Sequence, residues 1–243
     1  MVRADTNHSY SLPWFVSART SREPIQIRTL NLNLVLVLSY TSMIKASYAD
    51  KSLVVDLLSQ AFDTNLSVNY IIPQDQNRKE RIRRLIEYSF DVCYQAGEVY
   101  FSDDRQACAL IRMHDQKHPL WNVIRGDIDF SIRCITIFNV FKAMKREKKI
   151  RQLHSPMPFF HLWFVGFYPE SQNKGISTKL LREVIHRASE LNRPVYLETS
   201  TLENLTLYEK LGFNIFAKLQ FTYTLFLLRL ETISLAKSKT PEN

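Results

Sequence analysis

The strand-like run "PVYLETS" sets a carboxylate, Glu198, among apolar residues. An ionisable group is expected there only if it is paired, hydrogen-bonded or used in chemistry. Further on, Tyr208 falls on the short helical stretch "NLTLYEKLG". A carboxylate and a phenol are both groups that can carry a proton. Tyr208 equally fits a half-buried aromatic on an amphipathic helix. A third element is the turn "QNKGIS", Gln172 to Ser177, between an apolar strand and a periodic helix. Such a turn leaves backbone N–H groups unpaired at the positive end of a helix dipole, where phosphate binds. Gly175 lets the backbone approach closely and Lys174 adds a charge. An ordinary strand-to-helix turn with a convenient glycine explains the local pattern as well.

Other constellations are weaker. His114 and His118 lie near Cys108, but there is no His-Glu-x-x-His or Cys-x-x-Cys, and a proline follows His118, so no metal is expected. His161, on the strand before the turn, reads as a packed or solvent-facing histidine. No G-x-S-x-G elbow supports serine nucleophile chemistry.

The elements that must position these groups follow from periodicity. A short strand from Met43, an Asp50 N-cap and a helix open the regular part of the chain. A second helix carries Ile82, Leu85, Ile86, Phe90 and Cys93 on one stripe and stops at Gly97. The runs "EVYFS" and "ACALIRM" around "DDRQ" read as a hairpin, and residues 118–154 as a largely helical segment. Then come the strand "FFHLWFVGFY", a helix with Leu180, Leu181, Val184, Ile185, Ala188 and Leu191 on one face, the strand "PVYLET" and a short helix. That helix has Asn204 as N-cap and Gly212 as stop, and "FNIFAKLQFTYTLFLLRL" closes the order as a strand. Alternating strands and helices imply at least one parallel pair.

"LWFVGFYPESQNKGISTKLL" followed by "VYLETSTLENLTLYEKLGF" resembles the GCN5-related N-acetyltransferase (GNAT) superfamily, and the second run looks like its puromycin-acetyltransferase type. The resemblance implies an α/β (α+β) fold. Its central sheet would be mixed and mostly antiparallel, with about six to seven strands, helices on both faces and a V-shaped splay at the acetyl-CoA site. It makes Gln172, Asn173, Lys174, Gly175, Ile176 and Ser177 the pyrophosphate cradle, with Ser177 where the family usually has Gly or Ala. Val165, Gly166 and Phe167 would pair with the pantetheine arm, and Gly166 would fit a bulge that opens the strands. Asn204 would contact the arm, Tyr208 would act as general acid, and Glu198 is the candidate base, directly or through a water. The activity implied is transfer of the acetyl group of acetyl-CoA to an amine of a small molecule by direct attack. A protein amine and a non-catalytic acyl-CoA-binding module are the alternatives.

Length and composition agree with such a domain. At 243 residues with 45% apolar side chains, the chain can bury a core without disulfides, and its three cysteines read as reduced thiols in a cytoplasmic protein. No apolar run approaches the roughly 18 residues of a membrane span. The formal charge of +8 favours an anionic partner, which coenzyme A itself satisfies. Much of the charge lies in "KAMKREKKIR", Lys142 to Arg151. There a solvated helix end is the plainer reading than a nucleic-acid patch, so neither nucleic acid nor membrane is expected as a partner. Residues 1–42 read as an extension, 43–230 as the catalytic domain with 118–154 on the acceptor side, and 231–243 as a tail. A monomer or a homodimer fits equally.

Overall fold

A computed structural model describes residues 43–113, 115, 136–168, 170 and 176–232, all within one compact unit that begins at Thr41. The expected extension 1–42, residues 118–135 of the 118–154 segment, the cradle residues Gln172, Asn173, Lys174 and Gly175, and the tail from 233 lie outside the described residues.

The chain opens with β1 (Ile44–Lys45) and a 3₁₀ turn at Tyr48–Asp50, followed by α1 (Lys51–Ala61), α2 (Leu66–Ile71) and α3 (Arg78–Ala96). Next come β2 (Gly97–Phe101), β3 (Ala107–Arg112), α4 (Thr136–Arg151), β4 (Phe160–Phe167) and α5 (Ile176–Glu190). The order ends with β5 (Val195–Thr199), α6 (Glu203–Lys210), β6 (Asn214–Gln220) and β7 (Thr224–Leu230). The strands form one seven-stranded sheet in the order β1-β2-β3-β4-β5-β7-β6. Every neighbouring pair is antiparallel except β4 and β5.

Both faces are covered, as the helix periods require. The stripe Ile82, Leu85, Ile86, Phe90 and Cys93 of α3 is buried with Val54, Val55, Leu57 and Leu58 of α1 against Cys108, Leu110 and Phe164. Leu180, Leu181, Val184 and Ala188 of α5 cover the other face over Ala109, Ile111, Phe160 and Leu162. A third cluster joins Ile150 of α4 to Tyr223, Leu225 and Leu227. Leu191, expected on the buried stripe, lies past the end of α5 and is exposed.

Several local expectations change. Asp50 does not cap α1 with its side chain; it accepts from the Ser47 N–H and Oγ in a capping box that closes the preceding turn. Asn204 lies inside α6, and Leu202 takes the N-cap position. Gly212 does stop that helix. Its φ of 93° and the bonds Gly212 N–H to Glu209 and Phe213 N–H to Tyr208 make a Schellman motif. Gly97 ends α3 in extended backbone, because a Cβ there would meet the Ile111 carbonyl oxygen at 1.9 Å. The final apolar run is two strands, since the chain reverses at Phe221–Tyr223, where the Phe221 N–H donates to the Tyr223 carbonyl. That turn lacks Gly, Pro, Asn and Asp; stacked Phe221 and Tyr223 rings against Tyr70 hold it instead.

Candidate active site

β4 and β5 pair only at Phe160↔Val195 and His161↔Tyr196. Beyond His161 the strands diverge, so the rest of the β4 edge, including Val165, Gly166 and Phe167, has no partner strand on that side among the described residues. Main-chain donors and acceptors along such an edge can pair with an extended ligand. This is the splay expected from the sequence. The bulge, however, lies at Trp163 and not at Gly166: Leu110 pairs with Phe164 and Ile111 with Leu162, leaving Trp163 as the extra residue. Gly166 has another reason to be glycine, because an added Cβ would sit 2.8 Å from Leu58 and 2.9 Å from Ala61 of α1.

The bulge has a consequence for the site. Strand alternation puts His161 and Trp163 on one face and Leu162 on the other. The extra residue adds Phe164 to the first face and returns Val165 and Phe167 to the α5 side. His161, Trp163 and Phe164 thereby all line one cavity of about 1020 Å³. Its other walls come from Phe62 just past α1, from α2, α3 and α4, from Arg112 of β3, and from Glu198 and Ser200 at the end of β5. The short helix α2, which the sequence pattern did not suggest, contributes Ser67, Val68 and Ile71. It starts where Asn65 Oδ1 accepts from the N–H groups of Ser67 and Val68 at 3.0 and 3.1 Å.

Glu198 sits at the root of the divergence. Its Oε1 lies 2.8 Å from His154 Nε2 and its Oε2 lies 2.8 Å from His161 Nε2. All three side chains are less than a tenth exposed. Burial alone would raise the Glu198 pKa, but the charges and hydrogen bonds of the two imidazoles outweigh it and hold the carboxyl well below the usual carboxylate range. An ionised carboxylate only accepts, so each Nε2 carries the proton it donates. Nδ1 is then the ring nitrogen of His161 that does not face Glu198.

Sequence reasoning took Glu198 as unusual without naming its partners. His161 read as a packed or solvent-facing residue, and it is packed, while His154 lay at the end of a helical segment. Their sequence separation from Glu198, 37 and 44 positions, leaves no local signal.

Tyr208 lies on the opposite face, in the core cluster under α5, and is 6% exposed. Its ring meets Phe213 edge-on at 5.8 Å, the apolar contact that accompanies the Schellman motif. Burial pushes its phenol up to about 12. Asn204 is exposed on the first turn of the same helix. Ile176 and Ser177 are the first residues of α5, so the backbone following the expected cradle does enter a helix.

Residues 143–213, from within α4 to just past α6, match the model of the acetyltransferase (GNAT) family. Over that stretch the chain is similar to the GNAT acetyltransferases. Solved structures share the fold of the unit that contains it. An enzyme described as histone acetyltransferase HPA2 and related acetyltransferase, from Corynebacterium glutamicum ATCC 13032, is 20% identical with a TM-score of 0.59, covering 79% of this chain and 96% of its own. Arylalkylamine N-acetyltransferase 2 from Aedes aegypti is 14% identical with a TM-score of 0.54, covering 78% and 97%. An agmatine N-acetyltransferase is 12% identical with a TM-score of 0.51, covering 78% and 99%. Among the described residues no helix is long and apolar enough to cross a membrane.

Proposed function

We propose that this domain moves the acetyl group of acetyl-CoA to an amine of a small molecule by direct attack in a ternary complex. The observation that carries the reading is the short β4–β5 join. It opens one strand edge for an extended cofactor arm and sets an ionised Glu198 with His161 at the wall of an acceptor cavity. Acetyl-CoA supplies the thioester. On this reading the main chain at Val165, Gly166 and Phe167 pairs with the arm, and an N–H of that stretch holds the oxygen on which negative charge develops. The N–H groups from Gln172 to Ser177, with Lys174, hold the pyrophosphate at the start of α5. Asn204 contacts the arm from α6.

On the acceptor side both Glu198 oxygens are engaged by histidines, so its role as base is best filled through His161. His161 Nδ1 takes the proton from the amine, and Glu198 stabilises the imidazolium that results. His154 holds the second oxygen and keeps the carboxylate oriented. Tyr208 keeps its proton through the neutral range and gives a hydrogen bond to the departing sulfur. The agmatine and arylalkylamine acetyltransferases that share the fold support a small amine as acceptor, as does the resemblance to the puromycin-acetyltransferase type. Small-molecule pockets of roughly 300–1,000 Å³ are of the same order as the cavity.

The test is thiol release from acetyl-CoA with a panel of arylalkylamines, amino acids, polyamines, aminoglycosides and peptides. Release that depends on an added small amine and is lost in His161→Asn bears the reading out. Tight coenzyme A binding with no release for any acceptor would make the domain a binding module instead.

A further inference from the structure

The charge of the acceptor cavity narrows the substrate class. Lys145, Arg146, Lys148 and Arg151 of α4 and Arg112 of β3 line it. Among the described residues, two carboxylates, Glu147 and Glu198, line it with these five cations, and both Glu198 oxygens are taken by the histidines. Arg146 bonds two neutral hydroxyls, Tyr223 Oη at 3.0 Å and Ser67 Oγ at 2.6 Å, and neither it nor Arg112 has a carboxylate partner among the described residues. Among the described residues the cations of this wall thus outnumber its acids.

A second, independent observation concerns polar atoms. Arg112 Nε and Ser200 Oγ are buried without a hydrogen-bond partner, and both residues line the cavity. Ser200 is 8% exposed. Buried donors without partners are costly unless something else satisfies them. Arg112 is the direct cross-strand neighbour of His161, and its guanidinium lies 5.3 Å over the Trp163 ring. Cross-strand neighbours share a face. The guanidinium side chain therefore stands next to the proposed base, over an aromatic floor.

Resting on the acetyltransferase reading, we propose that the acceptor is an amine that also carries an anionic group, a carboxylate or a phosphate, on an apolar or aromatic body. Arg112 receives an anion close to the amine, and Arg146 receives one farther from it. A cationic wall repels an ammonium and favours the free amine, the form that attacks a thioester. It also disfavours polyamines, whose every charge has the wrong sign.

Titration calorimetry of the full chain with coenzyme A present tests this through tyramine, tyrosine and O-phosphotyramine, which share a body and differ in the anion. At low salt at least one anionic ligand should bind about tenfold more tightly than tyramine, and raising salt to about 0.5 M should narrow the gap. Arg112→Gln should remove the advantage of tyrosine over tyramine, and Arg146→Gln that of O-phosphotyramine, each variant binding tyramine at least as tightly as the wild-type protein does. Tyramine binding as tightly as both anionic ligands in the wild-type protein overturns the proposal, as does failure of all three to bind. Because binding is read without turnover, absence of thiol release in the amine panel would count against the catalytic reading alone.

Discussion

Glu198 is the residue on which pH should act. Its folded pKa lies below the ordinary value of 4.5, so the stability it contributes is present above that value and is lost as pH falls below it. Urea midpoints measured downward from pH 6 should therefore fall more steeply in the wild-type protein than in Glu198→Gln, and parallel curves would show that the carboxylate is not so held. Tyr208→Phe keeps the ring packed against Phe213 and removes only the hydroxyl. It should lower kcat by about 10²-fold, in the range of a lost general acid, with coenzyme A affinity retained. An unchanged kcat would take Tyr208 out of the reaction. At this scale the sequence marked Glu198 as unusual, because an acid in an apolar strand breaks a local rule. It could not show the histidines, whose only signal is proximity in space.

Among the elements, those with strong periods were legible. The α3 stripe, the β2–β3 hairpin and α5 stand where the spacing of their apolar residues puts them. What was missed has no local signature. α2 is only six residues long, and the β6–β7 turn uses aromatic stacking in place of turn-forming residues. The bulge at Trp163 was misplaced to Gly166 because a glycine in a strand can mean either a bulge or a close approach. Here it means the latter, against α1. Gly166→Ala should destabilise the domain by about 1–3 kcal/mol through overpacking against Leu58 and Ala61, measured by urea unfolding. The paired variant Gly166→Ala/Leu58→Val, which makes room for the methyl group, should recover part of the loss; no recovery would locate the strain elsewhere. Near the other side of the sheet, Arg187 of α5 donates to the buried Glu98 of β2 at 3.0 and 3.3 Å, and Glu98 also accepts from Tyr100. Arg187→Met should cost about 1–3 kcal/mol, since it leaves Glu98 with fewer donors, and the same unfolding measurement reads it.

For the molecule as a whole, the sheet is two antiparallel blocks, β1 to β4 and β5, β7 and β6, joined by a single parallel contact two residue pairs long. A ligand lying along the open edge should tie the blocks together. Saturating coenzyme A at about 100 times its Kd should stabilise the domain by about 2.7 kcal/mol and slow amide exchange along Leu162–Phe167. Exchange there that is indifferent to coenzyme A would mean that the arm binds elsewhere. The join is also where catalysis and mechanics coincide. His161 belongs to one block and Glu198 to the other, so their hydrogen bond is a clasp across the crease as well as part of the proposed base. If the crease gapes, the imidazole loses its carboxylate while both blocks keep their own ladders. The enzyme should therefore switch off in mild denaturant before it melts, and coenzyme A, by bridging the crease, should bring the two events back together.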